Sequence, residues 1–128
     1  MKGIRIIETI AFLMCLMLCS TLVAAQESAP STETGVAACY SRHLVGHKTS
    51  SGQKYNPNAL TAAHATIPVG THVKVTNVEN GKSVVVVIND HLSAHAGGGI
   101  IIDISHHACK ELGFGRGGES KVKLEVQS

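Results

Sequence analysis

Residues 71–78 (THVKVTNV) open by alternating Val73 and Val75 with polar neighbours, and residues 121–126 (KVKLEV) alternate strictly. A period of two marks half-buried strands. Residues 83–88 (SVVVVI) and 100–104 (IIIDI) are nearly unbroken β-branched runs, which suit strands covered on both faces or closed into a small barrel. A short apolar stretch at 35–40 adds another strand. Asn80-Gly81 lies between two of these runs and predicts a tight turn, so residues 71–90 form a hairpin. One helix is predicted from Ser105 as N-cap through Leu112, stopped by Gly113. A second short helical piece is expected around 60–64. Short strands, one or two short helices and glycine-rich loops at 97–99 and 113–118 together predict a mainly β chain closed into a compact barrel.

The first 25 residues follow a different pattern. Lys2 and Arg5 precede an apolar run at 10–25 (IAFLMCLMLCSTLVAA) that ends in small residues. That is the order of a secretory signal peptide, with cleavage after Ala25, and the run is short for a membrane span. Residues 26–34 (QESAPSTET) are polar and without period, so a disordered leader is expected there, with the folded domain at 35–128.

Composition narrows the function classes. Formal charge is +2, from 11 basic and 9 acidic residues. Losing Lys2, Arg5 and Glu8 with the signal leaves 9 and 8, or +1, too balanced for a nucleic-acid binder or a polybasic membrane patch. Aromatic residues make up only 3% of the chain and Trp is absent, so Val and Ile must fill the core. Of four cysteines, Cys15 and Cys19 leave with the signal, while Cys39 and Cys109 remain. Two thiols left in an oxidising compartment are expected to pair, although spacing alone cannot place them within bonding range. The eight histidines include pairs four apart, at His43/His47 and His91/His95. Both pairs fall in loop-like sequence without the one-face geometry of a zinc helix, so neither a metal site nor a cofactor is expected. Ser50 and Ser51 show no triad pattern, and no glycine cluster has phosphate-loop spacing.

Five ordered blocks carry a resemblance: Thr49-Ser50-Ser51-Gly52-Gln53; Leu60-Thr61-Ala62-Ala63-His64; Pro68-Val69-Gly70-Thr71 with residues 73–77 (VKVTN); Val87-Ile88-Asn89-Asp90; and Ile101-Ile102-Asp103-Ile104-Ser105. In this order and spacing they resemble the rare lipoprotein A family, whose members are bacterial envelope proteins described as lytic transglycosylases. The resemblance covers 35–128 and implies a six-stranded double-psi β-barrel; expansin and barwin-type domains are more distantly similar. The sugar-binding repeat domain that often follows the barrel in this family is not expected here. It also implies a monomer acting on peptidoglycan glycan strands in the periplasm or cell envelope. The alternative is a non-catalytic, expansin-like wall-binding module.

A lytic transglycosylase needs one carboxyl to protonate the leaving oxygen and then, as a base, to accept the proton of the muramyl 6-hydroxyl as a 1,6-anhydro ring closes. Such an acid works best with its ionisation shifted up by apolar surroundings. Asp103 interrupts an isoleucine run, where an acid is costly unless it is partnered or used. The resemblance makes the same residue the catalytic acid and places His64 beside it in the groove, bonding substrate or tuning the acid. The competing readings are an Asp103 that caps the following helix or pairs with a basic neighbour, and a His64 bonded to backbone at the barrel rim. Gln53 and Thr61 are expected to line the groove, and Asp90 either lines it or merely binds turn amides. Tyr40 and Tyr55 either stack on a sugar or pack in the core. Two positions depart from the family pattern: Gln53 stands where Glu is common, and His91-Leu92-Ser93 replaces Arg-Gly-Pro. An amide can position a sugar by hydrogen bonds, yet it cannot exchange a proton.

Overall fold

The computed structural model describes residues 31–93 and 97–128. The expected signal segment, most of the expected leader, and His95 lie outside the described residues. Six strands close into one barrel: β1 (Thr32–Cys39), β2 (Thr61–His64), β3 (His72–Asn77), β4 (Ser83–His91), β5 (Ile100–Ile104) and β6 (Glu119–Val126), in the order β1-β5-β2-β4-β3-β6. Closure leaves no strand edge unpaired among the described residues.

Alternation builds the interior. Val73 and Val75, Val86 and Ile88, Ile102 and Ile104, and Val122 and Leu124 point inward from four strands and join Ala37, Ala62, Ala108 and Leu112 in one buried cluster. Their residue types match the expectation of an aliphatic core. β3 and β4 form the expected antiparallel hairpin, with Gly81 at φ +76° in its turn. Helix α1 (His106–Glu111) starts where predicted: the Ser105 hydroxyl accepts from the Ala108 amide at 3.3 Å and donates to the Ala59 carbonyl at 2.6 Å. Gly113, at φ +69°, ends it.

The strand pairing has an internal two-fold pattern. β1 and β5 run parallel, as do β4 and β2. β1 and β6 run antiparallel, as do β4 and β3. Replacing each strand by the one three places along reproduces the whole barrel. The double-psi topology is thus the expected one, and the axis passes through the β2–β5 pair, where Ala63 faces Asp103.

Three local expectations are corrected. Strand β1 already includes Thr32–Thr34, ahead of Gly35: Glu33 and Thr34 pair with Leu124 and Lys123 of β6, so a polar segment is drawn into the sheet by its partner. Residues 61–64 are strand, because Ala62 and Ala63 lie between β4 and β5 and pair with both; tertiary pairing overrides the helical preference of alanine. The second helical piece is instead a 3-10 turn at Arg42–Leu44, capped by the Ser41 hydroxyl.

Candidate active site

One row of residues crosses four adjacent strands. Ala38 of β1 pairs with Asp103 of β5, Asp103 with Ala63 of β2, and Ala63 with Asp90 of β4. Acid and alanine alternate along it. Because Ile102 and Ile104 point into the core, the pleat turns Asp103 outward, and the two small alanines leave both acids uncrowded.

Asp90 is heavily partnered. Its carboxylate accepts from the Tyr40 hydroxyl, from the Ser50 amide at 2.9 Å and from the His91 amide at 2.8 Å. Burial alone would push this carboxyl up, but the Tyr40 hydroxyl, the two amides and the Ser50 hydroxyl outweigh it and hold Asp90 below the usual carboxylate range. No ion pair reaches Asp90 among the described residues. Two amides and a phenol therefore supply the donors that an arginine could offer at the departed position. The Tyr40 hydroxyl is driven far above its ordinary value, first by burial and then by the Asp90 charge, so it stays a donor.

Asp103 is the opposite case. It is half-buried, no described residue donates a hydrogen bond to its carboxyl, and no basic group among the described residues pairs with it. Burial, then the charge of Asp90, push its carboxyl up. One carboxyl is thus held ionised and its neighbour is biased towards the neutral form, the usual separation of roles in an acid site.

The loop before β2 explains the Thr49–Gln53 block. The Thr49 hydroxyl bonds to the Ser51 hydroxyl at 2.7 Å and to the Gln53 carbonyl at 2.8 Å, and the Thr49 amide donates to the same carbonyl. Gly52 sits at φ +85°, a left-handed position that favours glycine. The Ser51 amide donates to the Asn89 carbonyl at 3.2 Å, which anchors the loop on β4 and aims the Ser50 amide at Asp90. The block is therefore a device for holding an acid. Gln53 is exposed and joins Lys54, Asn56, Ala59, Thr61 and Asn89 around an open cleft of about 420 Å³. Gln53 and Thr61 thus share one cleft, and Asn89, which also lines it, is the residue before Asp90.

Tyr40 and Tyr55 stack on each other, ring centroids 4.6 Å apart and 19° from parallel. Tyr55 is buried and its hydroxyl accepts from the His106 amide at 3.2 Å. The packing reading holds for Tyr55, while Tyr40 is half-buried and spends its hydroxyl on Asp90.

His64 does not join the acids. The residue that faces both Asp90 and Asp103 is Ala63; His64, one place along, has the opposite sense of the pleat. Its Nδ1 accepts from the amides of Thr66 and Ile67, each at 3.0 Å. That leaves Nε2 as the protonated nitrogen, donating to Glu33 at 2.8 Å. Both nitrogens are committed, and the rim reading is the one the geometry supports. Glu33 could not have been found from the sequence, because it sits in the polar segment expected to be disordered.

Cys39 and Cys109 are joined as a disulfide spanning 70 residues. Among the described residues no three His, Cys, Asp or Glu side chains gather to hold a metal ion. No helix there is long and apolar enough to cross a membrane.

A family model described as lytic transglycolase matches residues 32–124. The chain belongs to the lytic transglycosylase family. Among curated relatives, the endolytic peptidoglycan transglycosylase RlpA of Neisseria meningitidis is 48% identical over 94 residues, which is 73% of this chain and 38% of that protein. The RlpA of Vibrio cholerae is 44% identical over 95 residues, 74% of this chain and 35% of that protein. This family member therefore spans little more than a third of the length of those relatives. Among solved structures, the Clavibacter michiganensis expansin matches with a TM-score of 0.60 at 20% identity, covering 77% of this chain and 51% of that one. The rationally designed mkDPBB_sym2 protein matches with a TM-score of 0.50 at 16% identity, covering 76% of this chain and all of that one. These likenesses establish the barrel alone.

Proposed function

We propose that this chain is an exported endolytic peptidoglycan transglycosylase of the cell envelope, cleaving between N-acetylmuramic acid and N-acetylglucosamine with Asp103 as acid and then base. The observation that carries this reading is the state of the Asp103 carboxyl: outward-facing, half-buried, without a hydrogen-bond partner among the described residues, one strand away from Ala63 and two from Asp90, whose carboxyl is held low. A carboxyl so placed binds its proton more tightly than a free aspartic acid does, which suits it to deliver that proton to a leaving oxygen.

In the first step the Asp103 proton passes to the glycosidic oxygen as the C1–O bond breaks. The charge growing at C1 faces the negative Asp90 side of the groove. In the second step the muramyl 6-hydroxyl attacks C1 and its proton returns to the Asp103 carboxylate, so no water is consumed and the acid is regenerated. Gln53, Thr61 and Asn89 offer neutral hydrogen-bonding groups to the sugars alongside. With both nitrogens engaged, His64 serves as a positioning residue that ties the end of β2 to β1 through Glu33.

The test is incubation of the protein with sacculi stripped of stem peptides, with mass spectrometry of the soluble products. Products ending in 1,6-anhydro-N-acetylmuramic acid are expected and should vanish in Asp103→Asn. Sedimentation with sacculi but no such products would replace this reading with the wall-binding one.

A further inference from the structure

On the α1 side of Tyr40 lies a second cleft, of about 320 Å³, that the proposed reaction does not use. Arg42, His106, Lys110 and Arg116 line it, and Phe114 and the Cys39–Cys109 disulfide back it. No acidic side chain lines it. The three permanent cations come from separate parts of the chain: the 3-10 turn after β1, the last turn of α1, and the glycine-rich loop before β6. The disulfide brings them together, since it fixes the end of β1 to α1. None of the three forms an ion pair with a described residue, and all are exposed.

Three unneutralised cations around one concave surface repel one another, and an anion relieves that repulsion. Two are guanidinium groups, which match the paired oxygens of a carboxylate or phosphate. In a chain whose sequence after residue 25 carries only +1, such a concentration is local and not a by-product of high net charge. We propose that this cleft binds an anionic group, carboxylate or phosphate, borne by an extended acidic polymer lying along the barrel past Tyr40. The cleft shares Tyr40 with the acid site but none of its carboxylates, so binding here stands or falls separately from turnover.

The purified, disulfide-bonded chain should be titrated at low salt with three fluorescent probes: a glycerol-phosphate oligomer, an oligogalacturonate, and chitohexaose as a neutral control. At least one acidic probe should bind more tightly than chitohexaose and lose affinity as salt is added. A phosphate probe binding alone identifies phosphate, a galacturonate binding alone identifies carboxylate, and equal binding means that charge is read without regard to the group. Replacing Arg42, Lys110 and Arg116 together by Ala should weaken binding at least tenfold while thermal unfolding stays in place. Replacing Lys48, Lys82 and Lys121 by Ala removes the same charge elsewhere and should weaken it far less. The proposal is overturned if neither acidic probe binds, if the cleft variant keeps its affinity, or if both triple variants lose it equally.

Discussion

Asp90 and Asp103 flank Ala63 on neighbouring strands, and the hydrogen bonds that reach the first are absent from the second among the described residues. This asymmetry follows from position. Asp90 lies at the end of β4, where the Ser50 loop folds over it; Asp103 lies mid-barrel between two strands whose amides are already paired. A donor-rich carboxylate next to a donor-poor one creates an acid without any basic side chain in the site.

Asp103→Asn should abolish product formation yet make the protein more stable at pH 7. A carboxyl whose native ionisation is shifted up binds its proton more tightly when folded, so it costs stability as pH rises from the unfolded value towards the native one. Urea midpoints of the two proteins should converge at acid pH and separate in favour of Asn near neutrality. Turnover of the unmodified protein should fall as pH rises through the same carboxyl.

Tyr40→Phe keeps the ring stacked on Tyr55 but removes a donor to a charged oxygen. For this half-exposed pair the loss should be about 1 kcal/mol at pH 7, after allowing for solvent screening. Asp90 is held below its ordinary range, so its contribution is present at neutral pH and lost as pH falls through that lowered value. The difference between the two proteins should therefore shrink in acid, read by chemical denaturation across pH.

Gln53→Ala should raise KM several-fold with little change in kcat, because an exposed amide on the cleft wall can hold a sugar but cannot move a proton. Initial rates on stripped glycan at several substrate concentrations separate the two parameters. A matching fall in kcat would give Gln53 a part in the chemical step.

Opening the Cys39–Cys109 link, by Cys109→Ala or by reductant, should cost about 4 kcal/mol, the chain-entropy value for a closed loop of 70 residues. Guanidine midpoints with and without reductant measure it. The Cys109→Ala variant should show no further response to reductant.

Much of this was legible in the chain. Strict alternation at Val122 and Leu124, the β-branched runs, Asn80-Gly81 and the Ser105 cap each specify their element through local chemistry, and each stands where predicted. Asp103 was visible because an acid in an isoleucine run is locally anomalous. The misses were non-local. Glu33 and Thr34 become strand only because β6 lies beside them, and Ala62-Ala63 does so between two strands. Nothing in the spacing of His64 discloses a carboxylate 31 positions earlier. Likewise, the Tyr40–Asp90 bond joins residues 50 positions apart, beyond the reach of any pattern in sequence.

The place of β1 in the barrel constrains how the chain can be made. Both its neighbours, β5 and β6, come more than sixty residues later in the chain, so β1 waits without either partner until residue 100 has emerged. The closing seam, β1 against β6, must then be among the last events of folding. Until β6 has emerged the barrel cannot close, and the chain before it stays open to late partners.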